Sequence, residues 1–222
     1  MFKKLFSYLI PMNIFKQKSR ISQSLEITWA NGELVLDSKN TNYSYGSLQR
    51  ILRKGLQNIG FDKIVSMEHI LVLGVAGGSV IKTLVDEIRY QGKITGVEID
   101  PEIITIANDY FNLNAIPNLE IKIDDAFEFV FKTKDSYDLI IIDVFQDTVM
   151  PNFLFESYFI DRVGFLMQKN GFMLFNTMIL NESHNERNQN YCSQFNTKHY
   201  LVKKIPRIEQ HNELIVVEKL GK

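Results

Sequence analysis

The sequence predicts an α/β protein built on a doubly wound, mostly parallel sheet with an antiparallel C-terminal strand and a small N-terminal β-hairpin module. Three observations carry the prediction. From residue 69 onward, short runs of branched apolar residues alternate with stretches whose apolar residues recur at helical spacing. One of those runs, Tyr137 to Ile142, closes on an unbroken apolar stretch, as strands buried on both faces of a parallel sheet do. Ahead of them, Asn31-Gly32 separates two segments that alternate apolar and polar residues, the strongest short-range hairpin signal.

Composition sets the frame for the elements. A chain of 222 residues, 45% apolar and 23% charged, is an ordinary soluble globular protein with enough length for one sizeable core and a small extra module. The expected division is an N-terminal unit over residues 1–60, with hairpin and helix, and a Rossmann-like domain over 61–222. A formal net charge of -1 gives no global electrostatic case for a nucleic-acid partner. The lone Cys192 excludes an internal disulfide and suits a reducing compartment, most simply the cytoplasm. Cys192 and the four scattered histidines show no zinc-ligand spacing, so no metal is expected. No apolar run approaches the ~20 residues of a membrane span, which argues against integral membrane association.

In chain order, the first twenty residues are the compositional oddity, with five basic side chains, no acids, and Phe2, Leu5, Phe6, Leu9, Ile10, Ile14 and Phe15 between them. Pro11 interrupts the apolar part and no small-residue cleavage site follows, which speaks against a signal peptide. An interfacial membrane helix is one reading. Packing on the rest of the protein or on a second subunit is the favoured one, because Pro11 limits any helix to about two turns, and it leaves a homodimer through this segment open. Leu25 to Trp29 and Glu33 to Asp37 should pair antiparallel across Asn31-Gly32. Ser47 to Ile59 returns to helical spacing, with Ser44 or Ser47 available as the cap and Gly60 as the stop.

The stretch His69 to Asp100 is the centre of the design. Ile70 to Leu73 form a strand, Gly74, Ala76, Gly77 and Gly78 a tight turn, and Val80 to Ile88 a helix that ends before Gly92. Ile94 to Val97 make a second strand, with Glu98 at its end, twenty residues after Gly78. Such a βαβ unit suits a nucleoside, since small residues let backbone approach the ligand and the acid can accept both ribose hydroxyls. Pro101 opens the next helix. Leu119 to Ile123 is a third strand followed by Asp124, Asp125 and a short helix, and Tyr137 to Ile142 is a fourth strand ending in Asp143. Phe153 to Met167 reads as helix, Gly171 to Thr177 as a fifth strand, Glu182 to Phe195 as a polar helix, and Tyr200 to Ile205 with Glu213 to Val217 as a closing antiparallel hairpin. Four consecutive strands thus bring glycines or carboxylates to one rim, where ligands of open α/β sheets bind. Helix capping is the competing role for Asp124, Asp125 and Asp143.

LVLGVAGGSV, VEID, IDDAFEFV and YDLIIID, in this order, resemble the S-adenosylmethionine-dependent methyltransferase fold and, within it, the spermidine synthase branch. The resemblance spans roughly Leu34 to Asn176, and the Asn-Gly hairpin is similar to the small N-terminal β module of that branch. It implies S-adenosylmethionine or its decarboxylated form as cofactor, with Gly74, Ala76 and Gly78 at the amino-acid end, Glu98 at the ribose, Asp125 and the backbone N–H of Ala126 at the adenine, and Asp143 at the reaction centre. A small-molecule acceptor is implied, met by Tyr45, Gln146 and Asp147. The branch's central Gly-Asp appears here as Ala76-Gly77, Gln146 stands where its second acid is expected, and Tyr45 is followed by Gly46 rather than histidine. A diamine needs several carboxylates along its groove. Methyl transfer asks less, chiefly alignment of an acceptor with the sulfonium. The expected activity is therefore a methyltransferase of spermidine-synthase-like type. The alternatives are an aminopropyltransferase and a non-catalytic nucleoside-binding protein, with a nicotinamide-dependent dehydrogenase a weaker fourth because the third glycine of the dinucleotide fingerprint is missing.

Overall fold

The computed structural model describes residues 2–19, 21–22, 24–38, 42–146, 149–209 and 211–221. Two sheets organise them. The smaller is antiparallel, in the order β1-β2-β3-β4, with β1 at Met12–Gln17, β2 at Leu25–Ala30, β3 at Glu33–Asp37 and β4 at Asn42–Ser44. Its β2–β3 hairpin is the expected one, with Asn31 and Gly32 both at positive φ (50° and 80°), as a tight primed turn requires. The first twenty residues depart from expectation. A helix α1 covers only Phe2–Phe6, and after Pro11 the chain becomes strand β1, paired with β2. A bulge between Asn13 and Phe15 breaks the period-two alternation, so the sequence pattern conceals the strand.

The larger sheet has seven strands in the order β10-β11-β9-β8-β5-β6-β7. These are β5 (His69–Leu73), β6 (Lys93–Glu98), β7 (Leu119–Ile123), β8 (Tyr137–Ile142), β9 (Met167–Met178), β10 (Tyr200–Ile208) and β11 (Asn212–Lys219). Strands β5 to β9 run parallel, and β11 lies antiparallel between β9 and β10. This is the doubly wound arrangement read from the sequence.

Helices α2 (Gly46–Ile59), α3 (Phe61–Val65), α4 (Ser79–Lys82, continued by a wide π turn through Glu87) and α5 (Pro101–Phe111) cover one face. Helices α6 (Ala126–Lys132), α7 (Ser157–Leu166) and α8 (Glu182–Ser193) cover the other. Burial on both faces explains why Leu139 to Ile142 of β8 carry no polar residue. The buried stripe of α2, Ile51, Leu52, Gly55, Leu56 and Ile59, packs on the large sheet, and a Cβ at Gly55 would stand 2.5 Å from Leu174. The small sheet instead packs on α5, with Leu25, Ile27 and Leu36 against Ile103, Ile106 and Phe111.

Other boundaries differ from the sequence reading for identifiable reasons. The residue before α2 is Tyr45, at φ 68° and without a side-chain cap of its own, and the Ser44 hydroxyl accepts the Ser79 N–H (3.2 Å). The short α3 intervenes between Gly60 and β5. The stretch Phe153 to Met167 is not one helix, because Glu156 is extended between a 3-10 turn, Asn152–Phe155, and α7, and Met167 already belongs to β9.

Candidate active site

The chain crosses from one face of the sheet to the other between β5 and β8, and a cavity of about 500 Å3 opens at the carboxyl ends of the strands there. It runs along the rim from Asp124 and Asp125 after β7, past Glu98 and Gly74, to Asp143 after β8, Asn176 of β9 and Asn212 of β11. Gly74 sits at the crossing point with φ 85°, and a Cβ there would collide with the Asp143 carbonyl oxygen. Only glycine allows β5 and β8 to approach so closely at this point.

Glu98 organises the end of the cavity beside the glycine turn. Its side chain is buried, and each carboxylate oxygen accepts two backbone N–H groups: Oε2 from Val75 (3.2 Å) and Ala76 (2.9 Å), Oε1 from Ile99 (2.9 Å) and Asp100 (3.1 Å). The glycine turn, with Ala76 at φ 47°, and the β6–α5 connection are thereby tied to one carboxylate. Burial pushes this carboxyl above its ordinary range, against the downward pull of the Ala76, Asp100 and Ile99 N–H groups.

Asp100, next to it, caps α5 by accepting the Glu102 N–H at Oδ1 (3.1 Å), and its Oδ2 accepts the hydroxyls of Ser19 (2.5 Å) and Ser22 (3.2 Å). Ile21 and Ser22, from the connection between β1 and β2, thus form a wall of the cavity. At the far end Asp125 Oδ1 caps α6 through the Phe127 and Glu128 N–H groups, so the capping role is real, while Asp125 and Ala126 still line the cavity. Asp124 accepts the Asp125 N–H (2.9 Å) and lies 3.8 Å from the Lys132 ammonium.

The Asp143 end of the cavity is built differently. The Asp143 carboxylate accepts the side-chain N–H of Asn176 (2.8 Å), and the Asn176 carbonyl oxygen accepts the side-chain N–H of Asn212 (3.0 Å). Asn176 is fully buried, so Asn212 fixes which end of its amide faces Asp143. Burial raises the Asp143 carboxyl to about 6; the Asn176 hydrogen bond opposes this and the charge of Glu98 adds to it. Around this group lie Phe145, Gln146, Pro151, Phe153 and Met178. A carboxylate poised near neutrality, beside an apolar recess, can orient a nucleophile and take its proton.

The cavity brings together six of the residues expected from sequence: Gly74, Ala76, Glu98, Asp125, Ala126 and Asp143, with Gln146 at its mouth. Gly78 is elsewhere. It holds the left-handed position before α4 (φ 80°), and a Cβ there would meet Leu113 at 2.5 Å, so its smallness serves packing rather than ligand contact. Tyr45 lies outside the cavity lining and stacks on Phe111 (4.3 Å between centroids, 21° between planes). Asp147 lies outside the described residues. Asp100, Ser22, Asn176 and Asn212 were missed: Asp100 carried a signal as the acid before Pro101, but the two asparagines become neighbours only through strand pairing across β9 and β11.

Comparison with known proteins sets this geometry in context. A family model described as the spermine/spermidine synthase domain matches residues 49–219. A polyamine aminopropyltransferase of Vibrio vulnificus is 28% identical over 131 residues, covering 58% of this chain and 44% of that protein. An eEF1A lysine and N-terminal methyltransferase homolog of Drosophila melanogaster is 28% identical over 119 residues, covering 49% of this chain and 17% of its own length. The aligned part of the chain thus spans less than half of either curated relative. Among solved structures, a probable spermidine synthase from Corynebacterium glutamicum superposes with a TM-score of 0.70 at 17% identity, over 95% of this chain and 80% of that one, which is a likeness of fold.

Proposed function

The chain belongs to the spermine/spermidine synthase family, and from the charge distribution of its cavity we propose that it is a methyltransferase that takes S-adenosylmethionine as donor and a small nucleophile as acceptor. The observation that supports a sulfonium donor is the charge of the cavity. Its lining carries Glu98, Asp100, Asp124, Asp125 and Asp143 and, among the described residues, no lysine, arginine or histidine. A cation held there is stabilised by the surrounding carboxylates. The cavity volume falls within the range of sites that enclose a small ligand, and the Gly74 cradle with Glu98 beside it fits a ribose.

The division of the carboxylates favours methyl over aminopropyl transfer. Glu98, Asp100, Asp124 and Asp125 stand in the nucleoside half and are engaged by backbone N–H groups, hydroxyls or Lys132. The reaction half holds Asp143 with two neutral amides, and Gln146 carries no charge. A diamine placed there finds a carboxylate partner for one ammonium among the described residues, and an unpaired charge taken out of water is costly. A single amine or other nucleophile needs only Asp143, which orients it and accepts its proton as the methyl group leaves sulfur.

Aminopropyl transfer is the second reading, favoured by the name of the Vibrio relative and by the lack of a basic lining residue to meet the donor's carboxylate. Calorimetric titration with S-adenosylmethionine and its decarboxylated form, followed by incubation of the latter with putrescine, separates the two. The proposal expects binding of S-adenosylmethionine and no spermidine. Spermidine formed at about 1 per second or faster makes the second reading the function, and failure to bind either sulfonium removes both.

A further inference from the structure

The segment from Lys4 to Ile10 inverts the ordinary pattern of burial. Of its seven residues only the polar Ser7 is buried, while Leu5, Phe6, Tyr8, Leu9 and Ile10 are 71%, 57%, 61%, 80% and 69% exposed. The inversion is held in place. The Ser7 hydroxyl donates to the Lys4 carbonyl (2.7 Å) and accepts the Gly32 N–H (2.9 Å), and the Ser7 carbonyl accepts the Asn31 N–H (3.0 Å). The Lys4 ammonium lies 5.9 Å from the Trp29 ring centroid, and the missing side chain of Gly32 leaves room for the Tyr8 ring. A turn pinned to the β2–β3 hairpin therefore presents consecutive large apolar side chains to solvent, an arrangement that marks an interaction surface.

Charge identifies what covers it. Positions 1–20 hold five of the 25 basic side chains and none of the 26 acidic ones, so the remainder of the chain is net negative. Lys4 is exposed within the apolar turn, while Lys16 and Lys18 are exposed at the far end of β1, where Lys16 pairs with Glu26 (2.7 Å). A second copy docked through the same segment brings no acidic side chain of that segment to meet these lysines. An anionic phospholipid surface complements both features, with apolar side chains entering the headgroup boundary and lysines meeting phosphates. We infer that the turn from Lys4 to Ile10 docks this protein reversibly on an anionic phospholipid surface. The attachment is peripheral, since no helix among the described residues is long and apolar enough to cross a membrane. It also leaves the cavity open. Met12 of β1 pairs with Trp29 at the docking end, and Gln17 pairs with Leu25 at the end that leads to Ser19 and Ser22, about 17 Å away along a six-residue strand.

Co-sedimentation of the full chain with vesicles of phosphatidylcholine and phosphatidylglycerol in equal parts, against pure phosphatidylcholine, tests the inference. Binding to the mixed vesicles alone, weakened by salt, is expected. Leu9→Asp should lower that binding about tenfold or more with an unchanged melting temperature, because Leu9 is exposed. Folded protein that stays in the supernatant with mixed vesicles, or a Leu9→Asp variant that binds as well as the parent, overturns the inference. So does a solution dimer that Leu9→Asp converts to monomer, since the surface then belongs to a second copy.

Discussion

Replacing Glu98 with glutamine changes one oxygen to an amide nitrogen and keeps the shape, so its effect can be worked from the four N–H groups around the carboxylate. Whichever way the amide is turned, its N–H2 end faces two backbone donors, either Val75 and Ala76 or Ile99 and Asp100. Two buried N–H groups lose their acceptor, at about 1 to 3 kcal/mol each. Relief of the burial that raises the Glu98 carboxyl offsets part of this, leaving roughly 2 to 4 kcal/mol. For a chain of this size that is a drop of roughly 4 to 16 °C in melting temperature. The sequence alone leads to a different expectation, a ribose contact whose loss weakens binding and spares stability. Scanning calorimetry of Glu98→Gln without ligand decides between them, and titration with S-adenosylmethionine reports the ribose contribution separately. A melting temperature within about 1 °C of the parent, far below the drop expected for two unpaired donors, refutes the argument that this carboxylate ties the turn to the β6–α5 connection.

Asp143 should set the acid limb of the pH profile. With its carboxyl raised to about 6, kcat/KM should climb through that pH and level off above it, and Asp143→Asn should abolish both the limb and most of the turnover. Stability has the opposite sign: the folded carboxyl titrates above its model value of 3.8, so its contribution is fully present below 3.8 and is lost as pH rises through about 6, which denaturant titrations of parent and Asp143→Asn at pH about 4 and 7 can measure. Asn212→Ala should let the Asn176 amide turn its oxygen toward Asp143 and move the Asp143 titration upward by about one unit. Carboxyl-carbon NMR reads that shift whether or not turnover is detected, and an unmoved titration refutes the positioning role. Gly78→Ala should cost about 1 to 2 kcal/mol through its left-handed backbone with little change in nucleoside affinity; intact stability with lost affinity would return Gly78 to the binding site.

What was legible in the sequence followed from patterns that local physics enforces. Gly74, Glu98, Asp125 and Asp143 stand at the ends of successive apolar runs, and a parallel sheet turns sequence order into adjacency along one rim. Strand β1 was hidden because a bulge removes its alternation. Gly78 lies outside the cavity lining, and its role is hidden for another reason: a glycine needed for positive φ and one needed for ligand approach look alike in a sequence, and Leu113 beside the missing Cβ points to the first. Asn176 and Asn212 lie 36 residues apart, in a run that is otherwise apolar and in a polar turn, and nothing in either stretch announces that they join in one chain of hydrogen bonds to Asp143.

The acceptor end shows why departures from a family pattern should be examined together. In sequence, glycine at 77 in place of an acid and the Tyr45-Gly46 pair in place of tyrosine and histidine look like two separate losses. In the fold they touch. A Cβ on Gly77 would stand 2.8 Å from the Ser44 Cβ and 3.3 Å from the Tyr45 ring, while the Ser44 hydroxyl accepts the Ser79 N–H one turn further on. The junction between β4 and α2 lies against the glycine turn, with Tyr45 stacked on Phe111. A side chain at 77 and this junction compete for the same space. Among the described residues, the carboxylate at this end of the cavity is that of Asp143, and a carboxylate governed by two asparagines is suited to a small nucleophile with one proton to lose.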